Sequence, residues 1–332
     1  QETIEELERP NLLNLGDISL LLEGENMKIL REIQKQIGFK YCLVNRLFSN
    51  DMDIYRGKNH RFINWTRVEN ILDFIRSMKL FPIINTNGVE KHIIDEFVQY
   101  FSNVYDVDVE EWLNFDIVQL SPYYLRDEIS PLYDTIYMVP FILYSYTHEK
   151  KRVVLNMIDE INKETILTND TFFGGNGIFT SNYLNKPSFY AYKLLSLLGE
   201  EIIYRGEGYL VTKSDLGYQI LLFNPSTISE EYGEEILDKL KSKKISLNIY
   251  NMDGDFQITK YDMNTNHGSI YDKWISLGSP ERVDNVHWDL LDEYVQPNVT
   301  FYFGKKATVF NVVTKVEPNG AVLFTLNLVS NP

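Results

Sequence analysis

The chain has 332 residues, 44% hydrophobic and 14% aromatic, enough for two packed cores and far from the composition of a disordered segment. Its 47 acidic and 32 basic residues leave a net charge of −15, and no Lys/Arg run is longer than Lys150-Lys151-Arg152, which excludes a broad cationic surface for nucleic-acid phosphates. A single cysteine, Cys42, excludes an internal disulfide, and no apolar stretch reaches the roughly 18 residues of a membrane helix.

In chain order, the first two hundred residues alternate strand-like and helix-like periodicities, the pattern of an α/β fold with parallel strands. A strand opens within 12–22. Met27, Leu30, Ile33 and Ile37 then mark one face of a helix that stops at Gly38. Residues 39–47 read as a strand, 68–78 as a helix, 80–85 as a short buried strand and 93–105 as a helix. Residues 114–120 are expected to be a strand, 135–148 and 188–198 helices, and 152–158 a strand between them. Past about residue 205 the pattern becomes short strands at 208–213, 218–223, 245–250, 256–262, 300–302, 309–313 and 321–328, separated by turn residues. The expected division is 1–205 as a barrel-like half and 206–332 as an antiparallel β-sandwich. A complete (β/α)8 barrel takes about 250 residues. Five or six strands in the first half therefore predict a truncated or incomplete TIM-like barrel.

Few motifs carry chemistry by themselves. Five scattered histidines (His60, His92, His148, His267 and His287) lack metal-ligand spacing, so no metal and no cofactor are expected. Gly174-Gly175-Asn176-Gly177 lacks the strand–glycine–helix context of a phosphate loop. Trp65, Trp112, Trp274 and Trp288 are read as core residues. The sequons at Asn64, Asn169 and Asn298 are read as chance matches. The opening Gln1–Glu6 is no signal peptide, which with one cysteine fits a cytoplasmic protein. Its lack of a leading methionine reads as a piece of something longer.

Several blocks together resemble the β-xylosidase-type glycoside hydrolases of family 39. They are Ile37-Gly38-Phe39-Lys40-Tyr41 with Leu47-Phe48-Ser49-Asn50-Asp51-Met52, Pro131-Leu132-Tyr133-Asp134-Thr135, and Gly174-Gly175-Asn176-Gly177-Ile178 followed by Asn185-Lys186-Pro187-Ser188. Tyr271-Asp272-Lys273-Trp274 extends the resemblance into the second half. It implies a barrel followed by a sandwich, with an acid/base glutamate at the end of one strand and a nucleophile glutamate at the end of another. Here the family's F-E-V-W-N-E-P strand reads Phe115-Asp116-Ile117-Val118-Gln119-Leu120-Ser121-Pro122, so Leu120 takes the acid/base position. Counting back thirteen from Asp134, Ser121 takes the nucleophile position. Leu120 and Asp134 are 14 residues apart, too close for a βαβ crossover of roughly 30 residues. Leu43, Asn45, Arg46 and Asn85 likewise replace family cleft residues.

These replacements lead to the expectation of a pseudo-glycosidase without catalysis. Such a domain is the ligand-sensing, dimerisation or scaffold region of an AraC-type transcription regulator, with DNA bound only by an N-terminal helix-turn-helix part outside this sequence. A small sugar or metabolite is the expected ligand, lined by Asn45, Arg46, Asn85, Gln119, Tyr123 and Asn156, with a homodimer as the assembly and no membrane contact. The alternative is an atypical retaining β-glycosidase using Asp116 with Asp127 or Glu128.

Overall fold

The computed structural model describes residues 5–56, 62–126, 129–149, 151–160, 171–226, 241–252 and 254–329. The chain forms two compact units, one from Pro10–Leu125 and Arg152–Glu160, the other from Gln1–Arg9, Arg126–Lys151 and Ile161–Pro332.

The first unit is a parallel sheet with helices. Its strands are β1 (Leu12–Asp17), β2 (Tyr41–Asn45), the short ribbon β3 (Tyr55–Arg56) and β4 (Phe62–Ile63), β5 (Phe81–Ile84), the parallel pair β6 (Pro122–Tyr123) and β7 (Arg152–Val153), and β8 (Asn156–Ile158). Helices α1 (Gly24–Gln36), α2 (Thr66–Ser77), α3 (Lys91–Tyr105) and α4 (Glu110–Asn114) connect them. The central order is β5-β2-β1-β8, every neighbour parallel, and the strands of the described residues do not close into a barrel. Leu13, Cys42 and Val44 alternate inward at 0% exposure, as strand periodicity requires. Burial pushes the Cys42 thiol pKa up, so it stays a small hydrophobe. Gly38 ends α1 with φ 78°, the left-handed stop expected of a glycine there.

One expected strand is absent. Residues 114–120 are the end of α4 followed by a 3-10 turn over Ile117–Leu120. The reason is local: the Asp116 carboxylate accepts the Val118 amide, an N-cap that winds the chain before it can extend. Ser121 then turns left-handed (φ 48°), and strand geometry begins only at Pro122.

The second unit begins with α5 (Met138–Thr147), β9 (Gly177–Phe179) and α6 (Pro187–Ser196). Strands β10 (Glu201–Gly206), β11 (Tyr209–Ser214), β12 (Gly217–Phe223), β13 (Lys243–Met252), β14 (Phe256–Met263), β15 (Asn298–Gly304), β16 (Ala307–Val316) and β17 (Ala321–Leu328) follow, with α7 (Ile270–Ser276) and α8 (Asn285–Tyr294) between β14 and β15. A six-stranded antiparallel sheet, β10-β11-β12-β17-β14-β15, and the hairpin-like pair β13-β16 enclose Ile220, Leu222, Phe256, Ile258, Phe324 and Leu326. That is the sandwich expected from the sequence.

The glycine-rich stretch is structural. Asp134 Oδ2 accepts the Gly174 amide at 2.7 Å, and Lys186 Nζ lies 2.7 Å from Asp134 Oδ1 while donating to the Gly175 carbonyl at 2.6 Å. Both side chains are 1% exposed. Burial of that charge pair is tolerable because each partner is further hydrogen-bonded. Gly174 sits at φ 76°, and a Cβ there would collide with the Ser130 carbonyl. All four tryptophans are 8% exposed or less, in keeping with core packing.

Candidate functional site

In a parallel sheet the polar ends of strands gather at one edge, and loops there carry the chemistry. In the first unit that edge is the C-terminal end of β1, β2, β5 and β8. Four asparagines cross it in a hydrogen-bonded row. Asn85 Nδ2 donates to Asn45 Oδ1 at 3.3 Å, Asn45 Nδ2 to Asn14 Oδ1 at 2.9 Å, and Asn14 Nδ2 to Asn156 Oδ1 at 2.7 Å. Each belongs to, or directly follows, a different strand of the sheet; register pairs Asn14 with Asn156 and brings Asn45 beside Asn85, while Asn14 and Asn45 meet where the β1–β2 register shifts, Asn14 itself being paired with Leu43.

Charged groups cap the row. Arg46 follows β2 in the left-handed region, φ 61°, an unusual conformation for a long side chain. Its guanidinium lies 3.3 Å from Asp17 Oδ2 and 2.9 Å from Asp51 Oδ2. Asp17 Oδ1 also accepts the Ser19 amide and hydroxyl, at 3.1 and 2.9 Å. Glu160, two residues past β8, accepts the Asp17 amide on Oε1 at 3.0 Å. Loss of water around its carboxyl, helped by the neighbouring Asp17 carboxylate, raises the Glu160 pKa; the Asp17 amide and Arg46 act in the opposite direction. Gly16 makes this approach possible, since at φ 69° a Cβ would overlap Glu160 Oε1.

Of the residues expected to line a ligand pocket, Asn45, Arg46, Asn85 and Asn156 meet at this edge. Gln119 does not. It lines a shallow cavity of ≈ 540 Å³ with Tyr41 and Phe81, at the starts of β2 and β5, the other end of the sheet. Tyr123 lies in β6, registered on Val153. Asp116 caps the Ile117–Leu120 turn, as Asp17 caps the 3-10 turn after β1, but it lines the same cavity as Gln119 at the other end of the sheet; Asp127 and Glu128 lie outside the described residues. The sequence reading missed Asn14, Asp17 and Glu160. The available signals were the Asn14-Leu15-Gly16-Asp17 end of β1, where a glycine closes a strand, and the carboxylates Asp159-Glu160 just past β8. Among the described residues, no group of three or more His, Cys, Asp or Glu is placed to hold a metal ion. No helix of the described residues is long and apolar enough to cross a membrane.

No family model matches the sequence. A β-xylosidase of Geobacillus stearothermophilus is 30% identical over 93 residues, a stretch that covers 26% of this chain and only 18% of that protein. Among solved structures, a GH39 enzyme from Xanthomonas axonopodis pv. citri matches with a TM-score of 0.79 at 10% identity, covering 98% of this chain and 96% of that one. A monomeric β-xylosidase from Caulobacter crescentus CB15 matches with a TM-score of 0.78 at 11% identity, covering 98% of both chains. The fold is that of the family-39 glycoside hydrolases.

These likenesses correct the expectation of a chain without catalysis. The proteins it resembles in sequence and fold are β-xylosidases and a family-39 enzyme. The inference from Leu120 also fails on its own terms. Leu120 is 8% exposed and packs with Leu12, Ile83, Val154 and the rings of Tyr41, Phe81 and Phe115. It ends a 3-10 turn in an apolar cluster, so its identity does not report on the carboxylates at the opposite edge.

Proposed function

We propose that the chain acts on a β-linked glycoside, with a xyloside as the substrate class, at the C-terminal edge of β1, β2, β5 and β8. The observation that carries this reading is the pairing of Asp17 and Glu160 on adjacent strands beside Arg46, at the head of the asparagine row. Glycoside cleavage needs one carboxyl that keeps its proton and one that does not donate. Glu160, with its raised pKa, is the proton donor to the departing glycosidic oxygen. Asp17, oriented by Arg46 and Ser19, accepts the proton of the water that attacks the anomeric carbon. Asn14, Asn45, Asn85 and Asn156 supply neutral donors and acceptors for sugar hydroxyls. The likeness to β-xylosidases supports the substrate class.

The test is hydrolysis of p-nitrophenyl β-D-xyloside from pH 4 to 8. Activity falls as pH rises through the Glu160 pKa, because the acid must be protonated. Glu160→Gln lowers turnover about 100-fold or more and removes that limb of the profile, and Asp17→Asn lowers turnover comparably. Wild-type turnover unaffected by both substitutions overturns the reading.

A second reading places the same sugar site in a longer AraC-type regulator whose DNA-binding part lies outside this sequence. The neutral asparagine row favours it, because hydrogen-bonding amides suit reversible recognition of a free sugar. Footprinting of a full-length polypeptide with and without xylose tests it. An unchanged footprint counts against it.

A further inference from the structure

The cavity at the other end of the parallel sheet has a floor of aromatic rings. Tyr41 opens β2 in register with Phe81 at the start of β5, and Phe115, just past α4, joins them. Ring centroids lie 5.7 Å apart for Tyr41–Phe81, 5.1 Å for Tyr41–Phe115 and 5.5 Å for Phe81–Phe115. All three rings are half-buried and line the cavity of ≈ 540 Å³. They touch one another, so a ligand lies over them rather than between them.

Every charged group lining this cavity is a carboxylate: Asp108, Glu110, Glu111 and Asp116. The other polar side chains are the amides of Asn114 and Gln119 and the Tyr41 hydroxyl. Asp108 accepts the Glu110 amide at 3.0 Å and Asp116 the Val118 amide at 3.1 Å, which fixes both carboxylates. Elsewhere exposed acids find cations, as Glu25 finds Lys28 and Asp51 finds Arg46, and exposed rings do too, as Tyr105 lies under Arg76. Among the described residues, no Lys, Arg or His pairs with these four acids or stands over these three rings.

That combination selects a ligand class. A bare metal ion would use the acids and ignore the rings, and among the described residues no three acids are placed to share a metal ion. A neutral sugar would use the rings and leave four like charges repelling one another. An aliphatic chain bearing several separated ammonium groups satisfies both, with methylenes on the rings and N–H donors on carboxylates and amide oxygens. The volume suits a small molecule.

We propose that this cavity binds a linear aliphatic polyamine, its methylenes over Tyr41, Phe81 and Phe115 and its ammonium groups on Asp108, Glu110, Glu111 and Asp116. The site is independent of the glycoside-acting reading, whose residues lie at the opposite end of the strands.

The experiment is isothermal titration of the whole chain with spermidine at low ionic strength, with magnesium chloride and octanediol as separate titrants. Wild type binds one spermidine, more tightly than magnesium, and the affinity falls steeply with added salt because the contacts are ionic. Octanediol, a neutral chain, gives no binding heat. Glu111→Gln/Asp116→Asn changes only exposed side chains, and asparagine keeps the cap. It weakens spermidine about 10-fold. Asp95→Asn/Glu96→Gln makes the same charge change on α3, outside the cavity, and leaves the affinity unchanged. Phe115→Leu weakens spermidine about 3-fold and leaves magnesium unaffected; where a thermal melt shows that variant unfolded, the two charge variants decide. Glu160→Gln binds spermidine as wild type does while losing aryl-xyloside turnover, so the two readings fail separately. The proposal is overturned by the absence of saturable spermidine binding or by magnesium binding as tightly as spermidine, which marks an acidic cluster only. Equal weakening by the two charge variants, a diffuse response to net charge, also overturns it.

Discussion

At the scale of residues, the candidate site depends on a close approach that only glycine permits. Gly16→Ala sets a methyl group against Glu160 Oε1 and forces a β-carbon into φ 69°. The left-handed conformation alone costs about 1–2 kcal/mol, which urea denaturation should resolve. On the proposed function, the displaced Glu160 should also lower kcat for an aryl-xyloside more than it raises KM, since the proposed proton donor moves while the asparagine row stays. Asn45, Arg46 and Asn85 were legible from sequence because each sits at, or just past, the end of a strand visible by periodicity; Asn156 lies within the expected strand 152–158 and begins β8. Asp17 was not. The pairing of β1 with β2 slips between Asn14 and Asp17, so simple alternation does not set Asp17 opposite Asn45. Glu160 follows a strand that reads as a continuous 152–158 but is broken into β7 and β8.

At the scale of elements, α8 shows how a helix brings a carboxylate into apolar company. Its Asp292 accepts the Asn185 amide at 3.3 Å and the Asn185 side chain at 2.6 Å, near the cluster of Phe172, Trp274 and Trp288. Burial pushes its pKa up to about 6, with Asp289 and Glu293 adding to the rise and Asn185 opposing it. An unfolded aspartate loses its proton near 3.9. Between the two values the native chain holds a proton that the unfolded chain has lost, so stability falls as pH rises through that window. The expected loss is about 1–3 kcal/mol, complete above pH ~7. Urea midpoints from pH 4 to 8 should show it, and Asp292→Asn should flatten the dependence. Element by element, long periodic helices such as α2 and α3 were readable. Residues 114–120 were not, because an Asx-type cap overrode an apolar run that resembles a strand. Helix α8, with its short amphipathic stripe, and β10, in a segment that reads as a boundary, were missed.

At the scale of the whole molecule, the α/β and sandwich halves were apparent in the change of periodicity near residue 205. What periodicity could not convey is that the compact units do not follow that line. The parallel sheet takes back Arg152–Glu160 after the chain has spent Arg126–Lys151 in the other unit. The returning segment supplies the Leu155 carbonyl, which accepts the Asn14 amide at 3.1 Å, and β8, whose Asn156 side chain completes the amide row. During synthesis, therefore, Asp17 and Arg46 wait on the ribosome for a partner encoded over a hundred residues later. A nascent chain stalled before residue 152 has emerged should present β1 with an unpaired edge and remain sensitive to protease within 10–125. Protection should appear only once Glu160 is clear of the exit tunnel. The order of translation thus acts as a timer, leaving the amide row and the charges beside it unassembled until Asn156 and Glu160 have been made.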